Sequence, residues 1–96
     1  MKLFLYKTEE EQLVAVRQDG ESIRFIYNPL EDVQLEAVKQ DGISVRHIHK
    51  PSEKVIRYLL DNCISEDIIQ SLFAVIGEEG YNKLSDEDKL KLELSD

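Results

Sequence analysis

The fold is decided by QLVAVRQDGESIRFIYNPLEDV at residues 12–33, which is followed at once by QLEAVKQDGISVRHIHKPSEKV at residues 34–55. The second segment begins 22 residues after the first, and identical residues recur along both, for example Ala15 and Ala37. A period of this length is typical of repeat arrays, in which each unit buries its apolar face against the next.

The first copy taken alone also fits a β-hairpin, since two apolar runs flank Asp19 and Gly20. The second copy favours a helix, because Val33, Ala37 and Val38 lie at helical spacing. In addition, Ala37 stands where a strand would favour a β-branched residue. Equivalent units are expected to share one backbone, so we predict that both copies form the same helical unit.

Each unit is predicted to contain a long helix followed by a short one. Gly20 and Gly42 are expected to end the long helices in the left-handed C′ position. The short helices are expected to turn four apolar side chains inward, namely Ile23, Ile26, Val45 and Ile48. Pro29 and Pro51 are expected to close the short helices and to lie in the first turn of the next long helix, where proline fits.

The pattern also extends outwards from the two copies. Residues 4–12 match residues 25–33 at a shift of 21, so the repeats are predicted to cover residues 4–56. After Pro51 the identities end, but three segments begin with Ser followed by acidic residues, which is an N-cap signature: SEKVIRYLLDN, SEDIIQSLFAVIG and SDEDKLKLEL. The second of these is the most apolar and is expected to pack centrally, whereas the third is expected to form a polar cap.

These patterns predict an all-α fold in a single domain, residues 1–96. The domain is a small array of helical hairpins with a period of 22, and residues 57–96 supply packing and capping helices. The segment GEEG at residues 77–80 is expected to be a turn between helices, because it lacks the lysine and the preceding strand of a phosphate-binding loop.

The repeated motif resembles a known type of repeat. AVRQDG…I..I.NP.EDVQLEAVKQDG…V..I..PSEKV is similar to short helical repeats of bacterial, phage and giant-virus proteins, which are grouped as a domain of unknown function and follow the pattern AAVKQ-(D/N)-G, an apolar pair and NPSEEVQL. The resemblance covers about residues 4–56, and the C-terminal 40 residues depart from it. It implies an α-helical repeat fold and a microbial or phage source, and it implies no activity.

Composition narrows the classes of partner. The chain has 20 acidic and 12 basic residues and a net charge of −8. Such a charge repels phosphate backbones, so direct nucleic-acid binding is not expected and a basic protein partner is favoured. No apolar run is long enough to span a membrane. Because Cys63 is the one cysteine, no internal disulfide is expected, and a cytoplasmic location is favoured.

No motif for an enzyme, a cofactor or a metal site is present in the sequence. A nucleophile motif, a dinucleotide fingerprint and a metal-ligand cluster are all missing. His47 and His49 are the nearest to a metal pair, but on a helix residues i and i+2 point about 200° apart and do not share an ion. We therefore expect a non-enzymatic protein without a cofactor.

Stacking of equivalent units predicts a candidate partner-binding surface. It aligns Tyr6, Tyr27 and His49 in one row and places Phe25 beside His47 in another. Identity is lost at these positions between the copies, whereas the neighbouring Ile, Gly and Pro are kept, so the side chains are free of the packing constraint. Exposed aromatic rows are typical anchors of interfaces. A place in the core is an equal alternative for Phe25.

Two arginines complete the candidate surface. Arg24 and Arg46 are equivalent and occupy no capping position. Stacked like charges need an acidic partner, which Glu21, Glu31 or Glu53 would supply within the chain. The alternative is a strip that binds a carboxylate or a phosphate.

These expectations favour a non-enzymatic protein-binding module. It would act as a small inhibitor or adaptor on a host protein, with a phage or a mobile element as its source. One alternative is an acidic mimic of nucleic acid that blocks a DNA- or RNA-binding protein, and this alternative predicts binding that weakens steeply with salt. Another is a structural homo-oligomer, in which the aromatic rows pack against a second copy.

Overall fold

The computed structural model describes residues 8–62 and 65–94. Within these residues the chain is helical and contains no strand, which confirms the all-α prediction and excludes the hairpin. The α-helices are α1 (Glu9–Gln18), α2 (Glu31–Gln40), α3 (Glu53–Asn62), α4 (Glu66–Asn82) and α5 (Asp86–Leu94). Two short 3₁₀ helices follow the first two of them, η1 (Gly20–Phe25) and η2 (Gly42–His47).

The repeat seen in the sequence is a repeat in the structure, and it continues further than the sequence identities do. The helices α1, α2 and α3 have ten residues each and begin 22 residues apart, at Glu9, Glu31 and Glu53. Two columns of buried side chains run through all three helices, Ala15, Ala37 and Leu59 in one and Val16, Val38 and Leu60 in the other. The third helix therefore belongs to the array, although its residue identities have changed.

Serine caps begin three of the helices, as predicted. The Ser52 hydroxyl accepts the N–H of Val55 at 3.3 Å, and Ser65 and Ser85 accept in the same way at the starts of α4 and α5. Pro29 lies two residues before the start of α2, so proline precedes the first turn instead of occupying it. The cost of fixing two turns of helix is thus offset partly by caps and partly by packing.

The prediction for Gly20 and Gly42 is wrong. Neither glycine has a positive φ, and Asp19 ends α1 in an extended conformation, at φ −156°. The Asp19 carboxylate accepts the N–H of Glu21 at 3.0 Å and so starts η1. Glycine is needed for a close approach instead, because a Cβ at Gly20 would lie 2.6 Å from the carbonyl oxygen of Ala37 in the next unit.

The core runs through the array and includes the four apolar residues that were expected to point inward. Ile23 and Val45 are fully buried, and Ile26 and Ile48 are nearly so. They pack with the helix columns into one cluster that reaches Leu92 in α5. Burying an aliphatic side chain of this size contributes about 1.5–3 kcal/mol, so the short 3₁₀ helices are held mainly by their neighbours.

Helix α4 does not pack centrally, contrary to the prediction. Only Ile69 and Leu72 of this helix are buried, and Phe73 is partly exposed. A third 3₁₀ helix in phase with η1 and η2 would begin near residue 64. Instead α4 begins there and packs mainly against η2. It therefore closes the array, whose centre is α2 together with η2.

A backbone break divides α4 at Gly77. This residue has φ 66° and ψ −175°, and helical structure resumes after it as far as Asn82. The predicted turn at GEEG is therefore confined to its first residue. The Phe73 and Tyr81 rings lie on either side of the break with their centroids 5.3 Å apart.

Gly77→Ala is expected to lower the free energy of unfolding by about 1.5 kcal/mol. The cause is conformational, because this region of φ and ψ is open essentially to glycine alone, whereas a Cβ would meet no atom within 4 Å. Urea denaturation measures the change, with the exposed neighbour Glu78→Ala as a control that is expected to have little effect. Equal stability of Gly77→Ala and the unaltered protein would contradict the assigned backbone conformation.

Candidate protein-binding surface

The predicted aromatic residues lie where each 3₁₀ helix ends. We call Phe25, Tyr27, His47 and His49 the aromatic face. Tyr27 is 70% exposed, Phe25 is 46% exposed, His49 is exposed and His47 is half-buried. Tyr6, which was predicted to continue the row, lies outside the described residues. Phe25 is therefore not a core residue, which decides the alternative left open by the sequence.

Local backbone geometry explains why these positions are exposed. Ile26 follows η1 in an extended conformation, at φ −109° and ψ 121°, and its side chain is buried. Successive side chains of an extended segment point to opposite sides, so Phe25 and Tyr27 are turned away from the core. The second copy repeats this arrangement around Ile48. Retained Ile beside altered neighbours was thus a correct indication of exposure.

The two units together form a hollow beside the aromatic face. It has a volume of about 360 Å³ and is lined by residues 26–29 from the first unit, 47–50 from the second, and Gln34. Asn28 has a positive φ of 51°, which turns the chain between η1 and α2. Tyr27, His47 and His49 are therefore brought to one site, as the repeat predicted for neighbouring units.

Gln34 fixes both edges of this hollow. Its side chain is largely buried, its amide nitrogen donates to the carbonyl of Pro29 at 3.0 Å, and its amide oxygen accepts the N–H of Ser52 at 3.0 Å. One side chain thus joins the turn before α2 to the turn before α3. The groups that it satisfies are backbone groups, so the positions of Tyr27 and His49 depend on it.

Gln34→Leu is expected to lower the free energy of unfolding by about 1.5 kcal/mol, because two backbone groups lose their partners at a half-buried position. Gln40→Leu is the matched control, since the Gln40 amide donates only to the exposed Glu36. Urea denaturation gives the energies, and NMR shifts of the His47 and His49 rings report the hollow. Unchanged ring shifts in Gln34→Leu would contradict the role given to Gln34.

The two predicted arginines differ in what they contact. The guanidinium of Arg46 donates to Glu21 at 2.8 Å, and the Nε2 atom of His47 lies 3.0 Å from the same carboxylate oxygen. The hydrogen bond from His47, and then that from Arg46, hold the pKa of Glu21 below its usual value, against the opposing effect of burial. Glu21 is one of the three internal partners that the sequence offered for these arginines.

The Arg24 guanidinium lies over the Phe25 ring, 4.6 Å from its centroid. This places Arg24 on the aromatic face, whereas Arg46 joins the first unit to the second through Glu21. The equivalent arginines thus make equivalent use of the residue that follows them, since Arg46 also lies against His47. A continuous strip of two unpaired arginines is not formed.

One ion pair was missed by the sequence reasoning. Arg57 of α3 donates two parallel hydrogen bonds to Asp88 of α5, at 2.8 and 2.5 Å, and Asp88 is only 3% exposed. Arg57 therefore holds the pKa of Asp88 below its usual value. The one signal in the sequence is that Asp88 lies four residues before Leu92, on the face of α5 that is buried.

Metal and membrane sites were tested on the described part of the chain. Within residues 8–62 and 65–94, no three His, Cys, Asp or Glu side chains come together in a way that would hold a metal ion. Over the same residues, no helix has both the length and the apolar character needed to cross a bilayer.

Comparison with known proteins adds no assignment to this geometry. No family model, no curated protein and no solved structure matches the chain. The 22-residue helical repeat therefore stands on the structure itself, in which α1, α2 and α3 recur in phase.

Proposed function

We propose that the protein is a non-enzymatic protein-binding module, an inhibitor or adaptor that holds a partner protein against its aromatic face. The observation that carries this proposal is the exposure of Tyr27, whose ring is 70% accessible although its backbone is fixed by the turn that Gln34 holds. A rigid, exposed aromatic side chain gives a large contact area at a small cost in conformational entropy, which is why such residues anchor interfaces.

The array supports this role because it presents the anchor on a stiff surface. The units share one core, and Gly20 brings the first two into close approach. The aromatic face therefore needs little reordering when a partner docks, and this lowers the cost of association. The net charge of −8 favours a partner that is basic overall, because opposite net charges speed the encounter.

The biological context is part of the proposal. The resemblance of the repeats to those of bacterial, phage and giant-virus proteins supports a microbial source, with a phage or another mobile element as the carrier of the gene. A cytoplasmic target in the host cell would fit a chain of this kind, because the single Cys63 offers no internal disulfide.

Tyr27→Ala is expected to weaken binding of the natural partner at least tenfold, because a central aromatic anchor contributes about 2 kcal/mol or more. The partner is first captured from a lysate of the organism that carries the gene, and its affinity is then measured by calorimetry. Leu90→Ala is the matched control, since Leu90 is 53% exposed on α5 and lies outside the aromatic face. The control is expected to bind as the unaltered protein does.

The same measurements separate the alternatives. Affinity that falls steeply with salt while Tyr27→Ala has no effect would identify a mimic of nucleic acid. Light scattering that shows a dimer, which Tyr27→Ala dissociates, would identify a homo-oligomer. Equal losses from Tyr27→Ala and Leu90→Ala would contradict the aromatic face as the docking site.

A further inference from the structure

The hollow beside the aromatic face is one end of a longer depression. A second hollow of about 490 Å³ shares His49 and Lys50 with the first and continues to Lys83. It lies between the turn before α3 and the second half of α4. Because their linings overlap, the two hollows form one elongated groove, which we call the furrow.

The charge of the furrow is opposite to that of the chain. The chain as a whole has a net charge of −8, yet the basic side chains in the furrow are His47, His49, Lys50 and Lys83, and the acidic one is Glu79 alone. Glu79 lies 3.5 Å from Lys83, so these two charges offset each other.

Lys50 is the basic side chain that remains. It is exposed at the point where the two hollows join, and it forms no ion pair with any of the described residues. The neighbouring Lys54, by contrast, lies outside the furrow lining and is 3.8 Å from Glu31. An ammonium without an acidic neighbour attracts a carboxylate, because no internal partner has to be displaced first.

The floor of the furrow is apolar along its length. Ile26 and Ile48 lie beneath the first hollow, and Ile56, Val75 and Ile76 line the second. An extended peptide directs alternate side chains to opposite sides. One set would therefore contact the apolar floor, while the other would face the basic rim and the solvent.

We propose that the partner inserts an extended acidic segment into the furrow, with its carboxylates directed at Lys50 and its apolar side chains on the isoleucine floor. This inference rests on the proposed function, because it specifies what the partner presents to the aromatic face. It is compatible with a partner that is basic overall, since net charge governs the approach of two proteins and local charge governs the final contact.

The first experiment selects the ligand without assuming its sequence. A display library of random peptides of about twelve residues is panned on the intact protein. This length suffices because an extended chain rises about 3.3 Å per residue and the longest dimension of the protein is 39 Å. Enriched peptides are expected to combine acidic residues with alternating apolar ones. Enrichment of basic or uncharged peptides, or no enrichment, would overturn the inference.

The second experiment assigns the site. Lys50→Glu is expected to weaken the most enriched peptide at least about tenfold, as for the loss of a charged contact at an interface. Lys39→Glu changes the net charge by the same amount at an exposed position on α2, outside the furrow, and is expected to change the affinity less than about twofold, because exposed charges at a distance are screened. Fluorescence anisotropy measures both, after circular dichroism has shown equal helix content.

Equal losses from Lys50→Glu and Lys39→Glu would overturn the furrow as the acidic site, because only net charge would then matter. That result leaves the proposed function intact if Tyr27→Ala still weakens the natural partner. Conversely, a peptide that depends on Lys50 while the natural partner ignores Tyr27→Ala would support the furrow and reject the aromatic face as the anchor.

Discussion

Replacing Arg57 with methionine is expected to lower the free energy of unfolding by about 2–3 kcal/mol at neutral pH. The substitution leaves the carboxylate of Asp88 buried without its cationic partner, and breaking a fully buried pair costs about 3–5 kcal/mol. The smaller value is expected because Arg57 is half-exposed, with 52% of its side chain accessible, so solvent already screens part of the interaction.

Urea denaturation at neutral pH measures this loss, and a second pair of residues provides the control. Arg17 lies 3.8 Å from Glu36, and its side chain is 57% exposed. Arg17→Met is therefore expected to change the stability by less than about 0.5 kcal/mol, as is usual for exposed ion pairs. Losses of similar size in Arg57→Met and Arg17→Met would show that Asp88 is not held as the structure describes.

The effect of Arg57→Met is also expected to depend on pH. Arg57 holds the pKa of Asp88 below the ordinary value of 3.8 in the folded protein. The unfolded chain thus binds more protons near that pH, so this contribution to stability is present above about pH 3.8 and is lost as the pH falls through the lowered folded-state value. The difference between the variant and the unaltered protein should therefore narrow in acid. A difference that stays constant from pH 7 to pH 3 would contradict this origin.

Gly20→Ala is expected to lower the free energy of unfolding by about 2–3 kcal/mol, at the upper end of the usual cost of overpacking. The added Cβ would lie 2.6 Å from the carbonyl oxygen of Ala37. The oxygen belongs to the backbone of α2, so the first two units must move apart to relieve the contact. An alanine that fitted without strain would instead stabilise the protein by about 0.4–1 kcal/mol through the unfolded state.

Gly42→Ala is the matched control, because the two glycines occupy equivalent positions in the repeat. A Cβ at Gly42 would lie 2.6 Å from the Cδ1 atom of Ile68. That atom is the end of a flexible side chain, which is able to rotate away, so the cost is expected to be less than about 1 kcal/mol. Urea denaturation of both variants tests this difference. Equal costs would mean that the two glycines serve the same conformational purpose.

The period of the fold was predictable because it is written in the sequence twice. Copies that share buried residues such as Val16 and Val38 must bury them in the same way, so the helical spacing of the second copy determined the structure of the first. The third helix was harder to assign to the array. Leu60 continues the column of Val38 with a larger side chain, and a change of size in a core position removes the identity while it preserves the packing.

The glycines were misassigned because Asp-Gly fits two structures equally well. A glycine after a helix either adopts a left-handed conformation or allows a close approach. The choice at Gly20 depends on the carbonyl of Ala37, which is 17 residues away and reaches the glycine only after the units have stacked. Local sequence carries no information on that contact.

The candidate surface was predictable in its position and not in its charges. Loss of identity beside a retained Ile26 indicated that Tyr27 would be exposed, and it is. The pairing of Arg46 with Glu21 and the isolation of Lys50 depend on how neighbouring units pack. The same is true of the pair between Arg57 and Asp88, because one acid in a capping segment differs from the others only by which way the helix faces.

Helix α4, which takes the place of a third 3₁₀ helix, has a consequence for the evolution of such chains. It terminates the stack without altering the treads below it, so the fold sets a ceiling but no height. Tandem duplication of residues 31–52 would insert one more tread between α2 and α3. The taller molecule would gain one further pair of outward positions equivalent to His47 and His49, and its grip on a ligand would lengthen by one step.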